Sequence, residues 1–197
     1  MARDTAKRRE DLRERLLDIA EAEVKANGSA SLRARSLAVE AGCAVGAIYN
    51  VFDDMTGLTL AVNLRTFKRL GAFVSKTIAQ SPDATPTETL IIIAKSYLAF
   101  ASDNPNLWRA LFEVEMSTEG NVPSWYLEEL GRLFAIVSKP ITVLYPGASP
   151  SEIDMMTRTL FSSVHGIVLL GLERRISGVP RERMEDMIEY LVTNVTS

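Results

Sequence analysis

One cysteine and one histidine in 197 residues exclude several kinds of chemistry at once. Cys43 alone cannot form an internal disulfide, and a chain so poor in cysteine fits a reducing compartment. His165 has neither a second histidine nor a nearby cysteine, so no metal-ligand spacing exists; a serine-centred elbow and a glycine-rich phosphate loop are missing too. Glu113 and Glu115 stand two apart on a helical stretch and so do not face each other as an acid and base would. No catalytic residue, metal site or cofactor is expected, and the chain does not read as an enzyme. Long apolar runs are also missing. The longest uncharged one, 159–172, has 14 residues between Arg158 and Glu173, against roughly 20 for a membrane span. The opening MARDTAKRREDLRERL is charged throughout and lacks the apolar core of a secretory signal, which predicts a cytoplasmic protein with no membrane partner.

An excess of positive charge is lacking as well, the formal net charge being −3, which argues weakly against a nucleic-acid partner. Its distribution qualifies that argument. Residues 1–52 carry nine basic and eight acidic side chains, so the acidic surplus lies further along. Arg3, Lys7, Arg8, Arg9, Arg13 and Arg15 form a basic N-terminal arm able to neutralise phosphates.

What is present in quantity is helical periodicity. Hydrophobic residues make up 47% of the chain, enough for one large or two small cores. Leu12, Leu16, Ile19, Ala20 and Val24 recur every three to four residues before Asn27-Gly28 closes a first helix. Then comes SLRARSLAVEAGCAVGAIYNVF, 31–52, read as two short helices around a tight turn at Ala41-Gly42-Cys43. Ser31 is the expected N-cap of the first and Gly42 its left-handed terminator. Ile48 and Phe52, four apart, form the inner face of the second. A helix this short needs a scaffold, and a second helix pinned across a first is the arrangement that offers its outer face to a DNA major groove. A long helix from about Thr56 to Ala79 leads to the connector SPDATP, and five more follow, punctuated by Pro86, Pro105, Pro123, Pro150 and Pro180. Pro140 is an expected kink or break in one of them.

These motifs resemble the TetR-type transcriptional regulators. The resemblance is carried by LLDIAEAEVKANG at 16–28, by LRARSLAVEAGCAVGAIYNVF at 32–52 and by GLTLAV at 57–62, with Ala41, Gly42, Cys43, Gly46, Ile48, Tyr49 and Phe52 matching the family tract. It implies an all-α fold of about nine helices, with a helix-turn-helix head at 1–55 (motif 33–52) and a ligand-binding and dimerisation domain at 56–197. The departures matter. Ala44, Val45 and Ala47 replace polar base-contacting residues, Val51 and Met55 stand where the family has a phosphate-binding Tyr and Lys, and Glu23 stands where it has a large apolar residue. For base edges that leaves apolar contact from Ala44, Val45 or Ala47 to thymine methyl groups and the Asn50 amide, with Arg33, Arg35 and Tyr49 for phosphates.

In the body, Trp108, Phe112 and Met116 recur at four-residue spacing, and Tyr97, Phe100, Trp125, Phe161 and His165 are placed to join them as walls of a small-molecule pocket; plain core is the competing reading. The segment SSVHGIVLLGLE, 162–173, resembles a C-terminal domain type found in part of the family. The last two helices, 151–177 and 180–195, are read as a homodimer interface through Met184, Met187 and Leu191, as the resemblance implies. The sequence thus predicts a dimeric repressor on double-stranded operator DNA, released by a small apolar or amphipathic effector. A helical ligand-binding or protein-interaction protein that kept the fold without operator binding is the alternative.

Overall fold

The structure is a computed structural model that describes residues 2–114, 122–173 and 179–196. Among them are nine α-helices, two short 3-10 turns and no strand: α1 (Ala2–Asn27), α2 (Ala34–Ala41), α3 (Val45–Tyr49), α4 (Met55–Ile78), α5 (Pro86–Asp103), α6 (Pro105–Glu113), α7 (Ser124–Leu144), α8 (Pro150–Leu172) and α9 (Met184–Val195). The all-α expectation holds. Two compact units form, one from Met1–Phe67 with Asn104–Tyr126, the other from Lys68–Asp103 with Leu127–Ser197. The first contains the whole expected head and adds α6 to it.

The first unit is built on the stripe that the sequence displays. Leu16, Leu17, Ala20 and Val24 of α1 meet Leu37, Ala38 and Ala41 of α2, Ile48 of α3, Phe52, and Leu58, Ala61 and Val62 of α4 in one cluster, which Leu107 and Ala110 of α6 complete. Ile48 is wholly buried there, worth about 1.5–3 kcal/mol in removed apolar surface. The start of α2 differs from expectation. Residues Ser29–Ser31 form a 3-10 turn in which the Ser31 hydroxyl donates back to the Gly28 carbonyl at 2.7 Å, so it caps nothing ahead; α2 begins after an extended Arg33 with no side-chain cap.

In the second unit, α5 and α8 both pack against α9, burying Leu90, Ile93, Tyr97 and Leu98 with Leu160, Val164 and Val168 and with Met184, Ile188 and Val192. Two helices start with the same device. Thr85-Pro-Thr-Glu88 and Ser149-Pro-Ser-Glu152 each turn a glutamate back onto the cap residue's amide, and the Ser149 hydroxyl accepts in turn from the Glu152 amide. These bonds hold the carboxyls of Glu88 and Glu152 below the usual carboxylate range. Helix α7 runs on through Pro140 without ending there. The last helix starts at Met184 rather than Pro180, because Arg181–Arg183 closes as a 3-10 turn first.

One expectation needs correction here. Met184, assigned to a subunit interface, is only 2% exposed and belongs to the chain's own core, where its sulfur fills the space beside Gly171. Helix α8, which contains the uncharged run 159–172, is by length and composition alone long and apolar enough to cross a membrane, and its Leu160, Val164 and Val168 lie in the core of this unit. The segment 174–178 at its expected end lies outside the described residues.

Candidate nucleic-acid interface and effector site

The turn between α2 and α3 is closed by backbone geometry. Gly42 adopts φ 64° and ψ 39°, the left-handed region that glycine enters with little strain. The Cys43 amide then donates to the Ala38 carbonyl at 2.9 Å and the Gly42 amide to that of Val39 at 3.2 Å, a Schellman closure. Arg15 of α1 donates to the last α2 carbonyl, Ala41, at 3.1 Å. With the turn fixed, Ile48 and Phe52 point inward while Ala44, Val45, Tyr49 and Asn50 are exposed on one short helix and Ala47 is half-buried. The inner and outer faces are those the spacing predicts.

The basic side chains divide differently from the sequence expectation. Arg35 is exposed. Arg33 turns back and donates to the carbonyls of Ala30 and Leu32, at 2.7 and 2.9 Å, so its guanidinium braces the turn before α2. Within the basic arm, Arg13 lies over the Phe52 ring, 5.5 Å from its centroid, and pairs with Glu14, while Arg15 is committed to Ala41. These two tie α1 to the motif. Val39 on α2, 78% exposed, is an apolar side chain beside the turn that the sequence reading did not single out.

Arg65 on α4 ties α4 to α1 through three carboxylates. Its guanidinium meets Glu14 at 2.6 Å, Asp18 at 2.7 Å and Glu21 at 3.1 Å, three carboxylates on one face of α1. Burial pulls its pKa down, but the bonds from Asp18, Glu21 and Glu14 outweigh that and raise it, so it stays charged. Helix α6 is tied to the head as well. Asn106 donates to the Lys25 and Ala26 carbonyls at the end of α1, the Ser29 hydroxyl donates to Glu113, and Leu107 and Ala110 sit in the head's core. None of these polar ties has a sequence signature, because each joins residues 44 or more apart.

The expected pocket residues fall in both units. In the second, Tyr97, Phe161 and His165 form one cluster: Tyr97 Oη and His165 Nδ1 are hydrogen-bonded at 2.7 Å, Phe161 stacks on the imidazole at 5.6 Å and meets Tyr97 edge-on at 5.9 Å. Burial lowers the His165 pKa. Phe100 lies beside Phe73 at 6.3 Å. A cleft of about 390 Å³ in this unit is lined by Lys68, Gly71, Ser75, Arg132, Leu133 and Lys139 among others, and none of these four aromatic or imidazole candidates contributes to it. In the first unit Trp108 is fully buried against Phe112, at 5.6 Å, and Trp125 stands 5.8 Å from Tyr126. Met116 lies outside the described residues. Of the interface residues, Met187 is exposed and Leu191 half-buried.

An N-terminal helix pair that buries one face around a left-handed glycine and exposes the other, followed among the described residues by an all-helical body, is a helix-turn-helix architecture. Residues 90–195, over half the chain, match the family described as Tetracyclin repressor-like, C-terminal domain, and the chain belongs to the TetR family. The uncharacterized HTH-type transcriptional regulator Rv1255c of Mycobacterium tuberculosis is 32% identical over 103 residues, 52% of this chain and 50% of the relative. The chain thus spans about half the length of the curated relative it matches. Among solved structures, a protein of unknown function from Rhodococcus sp. RHA1 shares the fold with a TM-score of 0.75 at 21% identity, covering 94% of this chain and 93% of the other. FadR of Bacillus subtilis in complex with stearoyl-CoA gives 0.67 at 14%, covering 93% and 97%, and RolR in complex with resorcinol gives 0.68 at 16%, covering 98% and 96%.

Proposed function

We propose that this chain is a one-component, cytoplasmic transcriptional repressor that binds operator DNA as a homodimer and leaves it when a small apolar or amphipathic effector occupies the body. The observation that carries the reading is the exposed face of α3, with Ala44, Val45, Tyr49 and Asn50 held outward by the buried Ile48 and Phe52. Its apolar composition suits thymine methyl groups, Asn50 offers an amide to a base edge, and Tyr49 and Arg35 reach for phosphates; Arg33 acts mainly by holding the turn. A five-residue reading helix makes few contacts, so specificity calls for two copies on two half-sites. The exposed Met187, Tyr190 and Val195 of α9, with Met155 and Leu170 of α8, offer apolar surface for that pairing.

Effector release follows from α6. Leu107 and Ala110 are part of the head's core, so a ligand that displaces α6 repacks the floor of the reading motif. Population shift is the natural form: the ligand favours a head arrangement whose spacing no longer fits successive major grooves. FadR and RolR hold a fatty-acyl thioester and a small phenol on this fold, which supports an amphipathic effector here, with Tyr97, Phe100, Phe161 and His165 of the second unit as candidate walls. Selecting bound sequences from a random DNA pool tests the reading: a two-fold symmetric consensus is expected, and equal weak retention of all sequences would overturn it.

A further inference from the structure

The cleft of about 390 Å³ in the second unit is within the size range of small-molecule sites and lies between two helix faces. Gly71, Ala72 and Ser75 line it from α4 and Leu133, Ile136 and Lys139 from α7, each set at the three- and four-residue spacing of one helical face. The space exists because the α4 side is small. A Cβ at Gly71 would stand 3.2 Å from Leu133 Cδ2, so the helices nearly touch there, and Ala72 and Ser75 fill little of what lies beside that crossing. Two contacts give the direction of the helices: Phe67 meets Tyr126 at 5.3 Å and Gly71 lies against Leu133, so α4 and α7 run the same way. Ser75 and Lys139 therefore share one end of the cleft, and Lys68 shares the other with Glu129 and Arg132.

The two ends differ in charge. Glu129, the one carboxylate in the lining among the described residues, has a side chain only 10% exposed and accepts from Arg132 at 2.8 Å. Lys139 has no carboxylate partner among the described residues, and its end of the cleft holds a serine hydroxyl and apolar groups. Three basic side chains against one carboxylate repel a cation, and a neutral head leaves the Lys139 ammonium unmet. An exposed ion pair alone is worth about fivefold in affinity at most, so a bare anion would not stay. The apolar floor supplies the rest, since each methylene removed from water adds up to about fourfold. We infer that this cleft binds a small amphipathic carboxylate, its head held by Lys139 and Ser75 and its chain laid over Ala72, Leu133 and Ile136. Six residues of α7 separate Leu133 from Lys139, about 9 Å of helix, which a chain of about eight carbons spans. None of Tyr97, Phe161 and His165 lines the cleft, so the site is additional to that aromatic cluster and does not depend on the repressor reading.

Equilibrium dialysis of octanoate and 1-octanol against the full chain tests this. Octanoate should bind saturably, one molecule per chain, and acetate should not displace it at about a hundredfold higher concentration, because it lacks the chain that the floor holds. In Lys139→Gln the octanoate affinity should fall about fivefold while that for 1-octanol stays the same, a comparison that cancels any general change in the cleft. Lys68→Gln, at the end shared with Glu129 and Arg132, should cost less. Ser75→Trp fills the cleft and should abolish octanoate binding. Lys68, Ser75 and Lys139 are exposed, so melting temperatures should stay near the native value, and Lys139→Gln carries the test should Ser75→Trp disturb the packing of α4 on α7. No saturable octanoate binding, native affinity in Lys139→Gln, or native affinity in a folded Ser75→Trp would overturn the inference. A loss in Lys68→Gln as large as in Lys139→Gln would overturn the placing of the head at the Ser75 end.

Discussion

Removing Arg65 should loosen the reading head by an amount that its three partners define. In Arg65→Ala, the pairs with Glu14 and Asp18, whose side chains are 50% and 72% exposed, cost about 0.2–1 kcal/mol each. Glu21 differs, because its side chain is only 11% exposed and it loses its guanidinium in a half-dry setting. Breaking a fully buried pair costs about 3–5 kcal/mol, and the 24% exposure of Arg65 brings this one nearer to 2. The expected loss is about 2–4 kcal/mol, which at an ordinary urea slope moves the midpoint down by about 1–2 M. Urea unfolding followed by circular dichroism measures it. Added salt should shrink the loss by screening the carboxylates left together on α1. A loss under about 0.5 kcal/mol would show that the guanidinium is solvated in practice and that the tie between α1 and α4 is apolar.

Gly171→Ala would place its methyl 2.1 Å from the Met184 sulfur and 2.9 Å from its Cγ, so α8 and α9 must repack; a loss of about 1–3 kcal/mol is expected by thermal or urea unfolding, and a neutral result would mean that Met184 moves aside freely. His165 has a folded pKa below its unfolded 6.5, so the unfolded state takes up the proton first and stability should decline as pH falls below about 6.5, levelling off under the folded value. In His165→Gln that part of the decline should vanish from a pH series of melting temperatures. Met187→Glu with Leu191→Glu should give a folded monomer by sedimentation that no longer binds operator, whereas Met184→Glu should unfold the second unit; folded dimers from the first variant would place the interface elsewhere.

The helices were legible because their apolar positions repeat locally. Leu16, Ala20 and Val24 read as a face before any partner is known, and Ala41-Gly42-Cys43 reads as a turn because only the left-handed region closes it. The exposed side of α3, proposed to face DNA, was legible for the same reason, as the complement of Ile48 and Phe52. What remained hidden depends on pairings far apart in the chain. Nothing near Arg65 in sequence shows that Glu14, Asp18 and Glu21 converge on it, and nothing near Asn106 shows that α6 joins the head. Basic residues were the hardest to place. Arg13, Arg15 and Arg33 look like phosphate ligands by composition, yet their bonds go to a ring and to main-chain carbonyls, because a long side chain beside a helix end finds an acceptor there first. Met184 misled through periodicity: a stripe on a terminal helix does not say whether its partner is α8 of the same chain or of another.

The central claim is that the outer face of α3 reads DNA sequence. Its most direct test is the affinity of the native chain and of Tyr49→Ala and Asn50→Ala for a site selected from a random pool, against a scrambled duplex at several salt concentrations. The expected result is a palindromic site bound about a thousandfold or more tighter than the scrambled duplex, with affinity falling steeply with salt, and a weakening in both variants without loss of melting temperature. Equal affinity for selected and scrambled duplexes, or native affinity in both variants, would contradict it and leave a helical ligand-binding protein that carries the motif as architecture only.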